Sequence, residues 1–320
     1  MQLTGWMEEN GRLLTLPEIE TLDIDRLKKC GGEFVLETDD CMIRDKYHIM
    51  PMPCVSGKKI FTAEPDVSDM SLEDAIKKSV ELRISDDAVT TLSGGVDSSL
   101  IAVLADLPCI AVGITGSHDL AAAKKTADIL GLSLTTKEID MEEIRTALLK
   151  VLKIIPRVTP MDVEIALTGY FITKLAKETG AKRILTGQAA DELFGGYARY
   201  GRSKDLRSDL AFDFVQLSFQ RERDASVASH FGVWYSLPFM DERVVKASRT
   251  FSTEELVRDD LRKIALRKVA AQYLPEEIAW KPKKAMQYGS GISGALGKIA
   301  KAEGCKGFGE LVRKLTAEKI

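Results

Sequence analysis

From about residue 88 onward, apolar residues fall into short β-like runs that alternate with amphipathic helical stretches. Ala88–Leu92, Cys109–Ile114, Leu132–Ile139 and Lys182–Thr186 read as strands, and Ser98–Leu107, Leu120–Leu130, Met141–Leu152 and Val163–Thr179 read as helices. That alternation predicts an α/β fold, a parallel sheet with helices on both faces, which binds ligands beyond the carboxyl ends of its strands. Residues 32–63 have a different pattern. Glu33–Glu37, Cys41–Ile43 and Lys59–Thr62 are short extended pieces broken by Asp39-Asp40, the Pro51–Pro53 stretch and Gly57, which predicts a small β-rich element. The polar run Glu64–Asp69 reads as a connector. Ser71 then reads as a helix N-cap, with Asp74 as its partner and Leu72, Ile76 and Val80 on one face. From Ser203 the pattern is mainly helical, most clearly over Asp259–Tyr273, where Pro275 ends it. The chain therefore divides into residues 1–66 and 67–320.

The 320 residues, 45% hydrophobic and 29% charged, suit a folded protein with a sizeable core and exclude a disordered or collagenous chain. The net charge of −3 leaves no global field to draw the chain onto nucleic acid or an anionic membrane. Charge is uneven, with 8 basic against 13 acidic groups in residues 1–66 and 9 against 3 in residues 281–320. A solvated helical face accounts for the Lys-rich tail. The 5 cysteines, at 30, 41, 54, 109 and 305, form no Cys-x-x-Cys pair, so a zinc or redox site is not expected and the thiols read as reduced, as in a cytoplasmic protein. The start of the chain lacks a signal-peptide core, and no run approaches the ~18 apolar residues of a membrane span.

The first strand of the alternating region leads into Ser93-Gly94-Gly95-Val96-Asp97-Ser98-Ser99 and straight on into a helix. Glycines there allow close backbone approach, the amides of a helix start attract negative charge, and three hydroxyls add donors, which together make a phosphate cradle. It is not the common nucleotide triphosphatase loop, because no lysine follows the glycines. Asp97, and Asp191 in Thr186-Gly187-Gln188-Ala189-Ala190-Asp191-Glu192, each follow a predicted strand. Mg2+ takes hard oxygen ligands, one or two carboxylates together with nucleotide phosphates, so these two acids are the expected metal pair. The alternative is a pair of helix N-terminal acids that complement the dipole.

SGGVDSS resembles the PP-loop of the N-type ATP pyrophosphatases, which hold the β and γ phosphates and cleave ATP to AMP. Ala111–Asp119 (AVGITGSHD), Thr186–Tyr197 (TGQAADELFGGY), Gly232–Asp241 (GVWYSLPFMD), Lys263–Arg267 (KIALR), Leu274-Pro275 and Ala279–Lys283 with Gly289-Ser290-Gly291 follow in order. Over residues 92–291 the chain resembles the synthetase domain of the asparagine synthetase family, β-lactam synthetase included. The resemblance implies that Leu92, Ser93, Gly94, Gly95, Asp97, Ser98, Ser99, Val112, Gly113 and Gly187 bind ATP, with Val112 and Gly113 offering backbone groups to adenine. It implies Asp97 and Asp191 as the Mg2+ ligands and Lys283 as the catalytic residue. A fixed ammonium there stabilises charge on the α-phosphoryl group as a carboxylate attacks it. Glu192 is expected to orient its neighbour, and Asp119 is a weaker candidate for substrate binding or helix capping.

Three departures bear on the reaction. Trp234 and Ser236 stand where the family has the acid and the arginine of GVEAR, and that acid serves the amine-attacking step. Gln188-Ala189-Ala190 replaces a common Glu-Gly-Ser. At the front, Gly31–Phe34 and Ile43–Lys46 resemble pieces of the family's glutaminase domain, but Gln2 stands where that domain has a nucleophilic cysteine, so residues 1–66 read as a noncatalytic remnant. The expectation is a ligase that adenylates a small-molecule carboxylate, by family default aspartate, and amidates it with ammonia or an amine. A separate amidotransferase subunit is an alternative nitrogen source, and a homo-oligomer is left open. Two other functions are weighed against it. One is a nucleotide-binding sensor or partner subunit without turnover; the other is a tRNA-modifying enzyme, against which the missing cysteine pair and the charge balance argue.

Overall fold

The computed structural model describes residues 1–52, 57–281 and 289–317, which fall into two compact units. Unit 1 is assembled from Met1–Ser85, Leu185–Arg221 and Ser236–Gln272, and unit 2 from Asp86–Ile184, Glu222–Tyr235 and Tyr273–Ile320. Compactness thus follows a different line from the linear division at residue 66, since residues 1–66 share their unit with two later segments.

Unit 1 begins with the strands β1 (Gln2–Glu9), β2 (Arg12–Leu13), β3 (Gly31–Glu37), β4 (Cys41–Arg44) and β5 (Lys59–Thr62), in the order β2-β1-β3-β4-β5. Neighbours are antiparallel except β4 and β5, which are parallel. The three extended pieces read from the sequence are β3, β4 and β5. Strand β1 was not foreseen. Its Trp6, Met7 and Glu8 are buried in succession, so the two-residue alternation that marks a half-buried strand is missing. Met7, Phe34, Leu36 and Ile43 form the sheet's core with Ile19 of α1 (Leu16–Glu20) and Leu27 of α2 (Ile24–Leu27).

Helix α3 (Leu72–Glu81) starts where the sequence places it. Ser71 Oγ accepts from the Asp74 amide at 3.1 Å, and Leu72, Ile76 and Val80 are buried. It packs on α10 (Glu242–Ser248). Between these elements lies a network of buried charge. Glu33 is fully buried and accepts from Arg83 Nε at 2.8 Å, Ser236 Oγ at 2.5 Å, the Leu237 amide at 2.8 Å and Trp6 Nε1 at 3.3 Å. Arg83 also donates to Asp241 at 3.1 Å, while Arg243 joins Asp241 at 3.1 Å to Glu8 at 2.7 Å. Ions removed from water are tolerated only when paired and hydrogen-bonded, and every acid here meets a guanidinium. The network fastens β1 and β3 to α3 and to the chain after Ser236.

The rest of unit 1 contains α8 (Ala190–Phe194), residues 206–221 of the long α9 (Leu206–Phe231), α11 (Thr253–Leu256), the hairpin β11 (Val257–Arg258) and β12 (Leu261–Arg262), and α12 (Ile264–Ala270). The helix expected over Asp259–Tyr273 is therefore corrected to a hairpin followed by a helix that starts at Ile264. A two-residue hairpin turn favours positive φ, and Asp259 takes it at +53°; Lys263 repeats it at +58° and breaks the helical run.

Unit 2 is the predicted α/β layer. Strands β6 (Ala88–Thr91), β7 (Cys109–Ile114), β8 (Leu134–Ile139), β9 (Arg183–Leu185) and β10 (Trp234–Ser236) form a sheet in the order β10-β9-β6-β7-β8, with β6, β7 and β8 parallel. Helices α4 (Val96–Ala105), α5 (His118–Leu130), α6 (Met141–Ile154) and α7 (Pro160–Glu178) connect them, and α13 (Glu276–Ala279), α14 (Ile292–Ala302) and α15 (Phe308–Ala317) follow. The core includes Ile110 and Val112 of β7, Leu148 of α6, Val163 of α7 and Leu296 of α14. The chain adds β7 and β8 on one side of β6, then β9 and β10 on the other, so the order reverses at β6. Sheets of this kind bind ligands at such a reversal, outside the carboxyl end of the strand. Among the described residues no helix is long and apolar enough to cross a membrane.

Replacing Arg83 tests the network. Arg83→Met strands Glu33 and Asp241 without their shared cation, and should cost about 3–5 kcal/mol of unfolding free energy measured by urea denaturation; a loss below about 1 kcal/mol, the worth of an exposed pair, would contradict it.

Candidate functional site

The loop between β6 and α4 is shaped by Gly94, whose φ is +71°. A Cβ on Gly94 would lie 2.7 Å from the Ala122 carbonyl of α5, so only glycine lets the loop pass under that helix. Ser93 and Ser98 lock its two ends, with their hydroxyls 2.9 Å apart and the Ser93 amide donating to Ser98 Oγ at 3.2 Å. Gly95 is the N-cap of α4 and supplies no side-chain acceptor, so the first turn of that helix has no side-chain cap. Ser99 Oγ is buried with no hydrogen-bond partner, and so is Ser117 Oγ at the start of α5. Buried hydroxyls of this kind normally find an acceptor. Asp97 stands in the first turn of α4.

Strand β6 is shorter than its neighbour. Its ladder with β7 ends where the Leu92 amide donates to the Ile110 carbonyl at 3.0 Å, whereas β7 runs on to Ile114. On that side Val112 and Gly113 extend beyond the last rung, next to the loop. A Cβ on Gly113 would come 2.4 Å from Ser117 Oγ, so any larger residue there would have to turn that hydroxyl aside. Leu92 itself is 2% exposed and packs with Ala102, Cys109 and Leu120, so its side chain is core.

Lys283 lies outside the described residues, as does the rest of 282–288, but both flanks of that segment are placed within unit 2. Lys281 Nζ donates to the Gly94 carbonyl at 3.1 Å. On the far side, the Ile114 amide donates to the Ser290 carbonyl at 3.0 Å, and a Cβ on Gly289 would fall 1.9 Å from Asp119 Oδ1. The chain therefore leaves from the loop and returns at the carboxyl end of β7. Asp119, weighed as a substrate ligand or helix cap, is the acid that Gly289 passes.

Asp191 and Gly187 belong to unit 1. Asp191 opens α8, its carboxylate rests over Gly196, where a Cβ would lie 1.7 Å away, and Lys263 Nζ is 2.7 Å from Asp191 Oδ1. Lys263 is 1% exposed and was given no role from the sequence. The available signal was its place in Lys263–Arg267, a matched segment, but a lysine heading a helical run gives no sign of burial. Glu192 is buried and accepts from the Tyr197 hydroxyl. Ala189, at a position where the family often has glycine, is forced to φ +72°.

The two departures in Gly232–Asp241 also find places. The Trp234 indole has its N–H buried with no acceptor and lies 5.5 Å from the Arg183 guanidinium. A donor thus occupies the position of the family's acid. Ser236 donates to Glu33, as described for unit 1.

The residues suit a nucleotide and Mg2+ in chemical kind. The loop offers amides and the unpartnered Ser99 hydroxyl to phosphate, and Asp97 and Asp191 offer hard carboxylate oxygens. Among the described residues no group of three or more His, Cys, Asp or Glu side chains gathers to hold a metal.

Residues 71–230 and 216–307 match the model of a family described as asparagine synthase. A protein of Methanocaldococcus jannaschii assigned as glutamine-hydrolysing asparagine synthetase 1 is 37% identical over 278 residues, covering 73% of this chain and 51% of that protein. Asparagine synthetase B of Escherichia coli, also described as glutamine-hydrolysing, is 25% identical over 313 residues, covering 89% of this chain and 56% of that protein. The chain spans about half the length of these curated relatives. Among solved structures, an NMN synthetase of Francisella tularensis aligns at 13% identity and a TM-score of 0.31, covering 68% of this chain and 99% of that one; overlap that low adds nothing to the strand order.

Ala189→Gly should remove the left-handed strain at the start of α8. The expected gain in unfolding free energy is about 1 kcal/mol, reduced by the freer unfolded chain, and a loss of stability would show that the alanine methyl is needed where it sits.

Proposed function

The chain belongs to the asparagine synthase family, and on that footing we propose that it is an ATP-dependent ligase that joins a small-molecule carboxylate to ammonia or an amine. The observation that carries the reading is the Ser93–Ser99 loop, held by Gly94 under α5 with the start of α4 uncapped. Such a start holds the pyrophosphate part of ATP through backbone amides, with Ser93, Ser98 and Ser99 adding hydroxyls. In the proposed reaction a carboxylate oxygen attacks the α phosphorus, the bond to the bridging oxygen breaks and pyrophosphate leaves. Nitrogen then attacks the acyl carbon, AMP leaves, and the nitrogen loses a proton. Lys283 is assigned the charge that builds on the α-phosphoryl oxygens, and its flanks support this because both are fixed beside the loop and β7.

Asp97 and Asp191 would hold Mg2+, which when bound neutralises phosphate charge. Lys263 pairs with Asp191 and fixes the direction of its carboxylate through their 2.7 Å contact. Val112 and Gly113 are assigned to adenine because their backbone runs past the end of β6. Holding both reactants in register contributes much of the acceleration.

Aspartate is the default carboxylate. Trp234 bears on that choice, because an indole donor in place of a carboxylate offers an incoming amine no base. Residues 1–66 are assigned a noncatalytic role, with nitrogen arriving as ammonia, as an amine substrate or from a separate amidotransferase. Cys30 and Cys41 are buried, and burial with Glu9 and Glu8 nearby pushes the Cys30 thiol up to about 11, so it is not a nucleophile near neutral pH. Cys54 lies outside the described residues. A cytoplasmic location is part of the same proposal.

The test is a product assay over a panel of carboxylates with ammonium and simple amines. AMP and pyrophosphate should appear in equal amounts only when a carboxylate is present, and Lys283→Met should lower the rate by about 10²-fold or more. ADP and phosphate as products would overturn the reading. Tight ATP binding without turnover across the panel would favour a sensor instead, and salt-dependent retention of tRNA would revive a nucleic-acid substrate.

A further inference from the structure

Unit 1 contains a second, unrelated concentration of positive charge. Arg44 ends β4, and its strand register pairs it with Thr62 of β5, which places both side chains on one face of the sheet. Thr62 Oγ1 lies 3.2 Å from Nε2 of His48, which the chain holds at φ +56°. Arg221, in the unit 1 part of α9, is close enough to Arg44 and to His48 for their charges to interact.

Neither arginine is neutralised in the ordinary way. Arg44 Nε and Arg221 Nε are buried without a hydrogen-bond partner, and among the described residues neither guanidinium forms an ion pair. Among the described residues, the only side-chain acceptor that Arg221 meets is the Met240 sulfur, at 3.8 Å. One carboxylate, Asp45, is near both arginines, but its oxygens already accept from the Ile49 amide at 2.8 Å and the Met50 amide at 3.0 Å. Two guanidiniums thus share one acid whose oxygens are already engaged. Burial and the two arginine charges push the His48 imidazole down to about 4, as expected of a ring held beside excess positive charge.

Desolvated guanidinium edges with nothing to bond are costly, and a protein keeps them where an anion supplies the missing acceptors. Guanidiniums favour planar or tetrahedral oxyanions that take two parallel N–H donors. Backbone strain at a non-glycine residue also persists where surrounding structure holds it for a purpose, and His48 is such a residue. We propose that Arg44, Arg221 and His48 form a binding site for a small oxyanion, a carboxylate or phosphate group, distinct from the Ser93–Ser99 loop. Arg44 and Arg221 are only partly covered and His48 is exposed, so the site is open to solvent on the His48 side.

The chain has 3 histidines, so each imidazole can be followed by NMR. In the full chain, inorganic phosphate and acetate are titrated separately against a chloride control at equal ionic strength. One of them should shift the His48 signals saturably with Kd of order 1 mM, and which one does so separates a phosphate source from a carboxylate source. Arg221→Met and Arg44→Gln should each abolish that shift while the His230 signals stay as in the parent. In anion-free buffer Arg221→Met should melt no lower than the parent, because it removes an uncompensated charge, and on adding the anion the parent should gain more stability than either arginine variant. A His48 response that never saturates, that chloride reproduces or that survives both arginine changes would overturn the site. So would Arg221→Met melting lower in every buffer, the sign of a packing role alone.

Discussion

The passage of Gly94 beneath the Ala122 carbonyl is the constraint on which the candidate site depends. At that separation no side chain fits, and at its φ no L-residue is at ease, so one glycine fixes both the path of the loop and the exit of α4 from it. Everything nearby follows from this path. The helix start has no side-chain cap, the Ser93 and Ser98 hydroxyls close the turn, and the Lys281 ammonium fastens the next segment to the Gly94 carbonyl. Rigidity built from backbone is what an electrostatic site needs, because donors already in position do not have to reorganise as charge develops.

Unit 1 solves a different problem. Residues 1–66 make a small sheet with its own hydrophobic core, and buried ion pairs join it to later parts of the chain. Glu33 is central because it faces Arg83, Ser236 and Leu237 at once. A serine at 236 suits this arrangement, since its hydroxyl is short enough to reach a fully buried carboxylate already occupied by a guanidinium. Buried ion networks contribute little net stability compared with hydrophobic packing of the same volume, yet breaking one is costly, so they hold a geometry more than they strengthen a fold.

Parts of the alternating region were legible because Cys109–Ile114 is a continuous apolar run and α6 buries Ile144, Ala147, Leu148, Val151 and Leu152 at helical spacing. Cys109–Ile114 was read to the residue as β7, and the Ser71 cap was read with its partner. What failed did so for local reasons. The stretch from Asp259 has the apolar spacing of a helix, but spacing says nothing of the two left-handed residues, Asp259 and Lys263, that divide it into hairpin and helix. In β1, three successive buried residues hid the strand. At the site, the loop glycines were visible by motif, whereas the burial of Lys263 against Asp191 and the closeness of Arg221 to Arg44 join residues far apart in sequence. Leu92 shows the reverse case, a motif position whose side chain belongs to the core.

The central claim, activation of a carboxylate by adenylation at this loop, is tested most directly by following oxygen. A substrate carboxylate labelled with 18O should transfer one labelled oxygen to the phosphoryl group of AMP in each turnover, because the attacking oxygen leaves with the nucleotide. Label recovered in inorganic phosphate, or AMP formed without any label, would contradict the account.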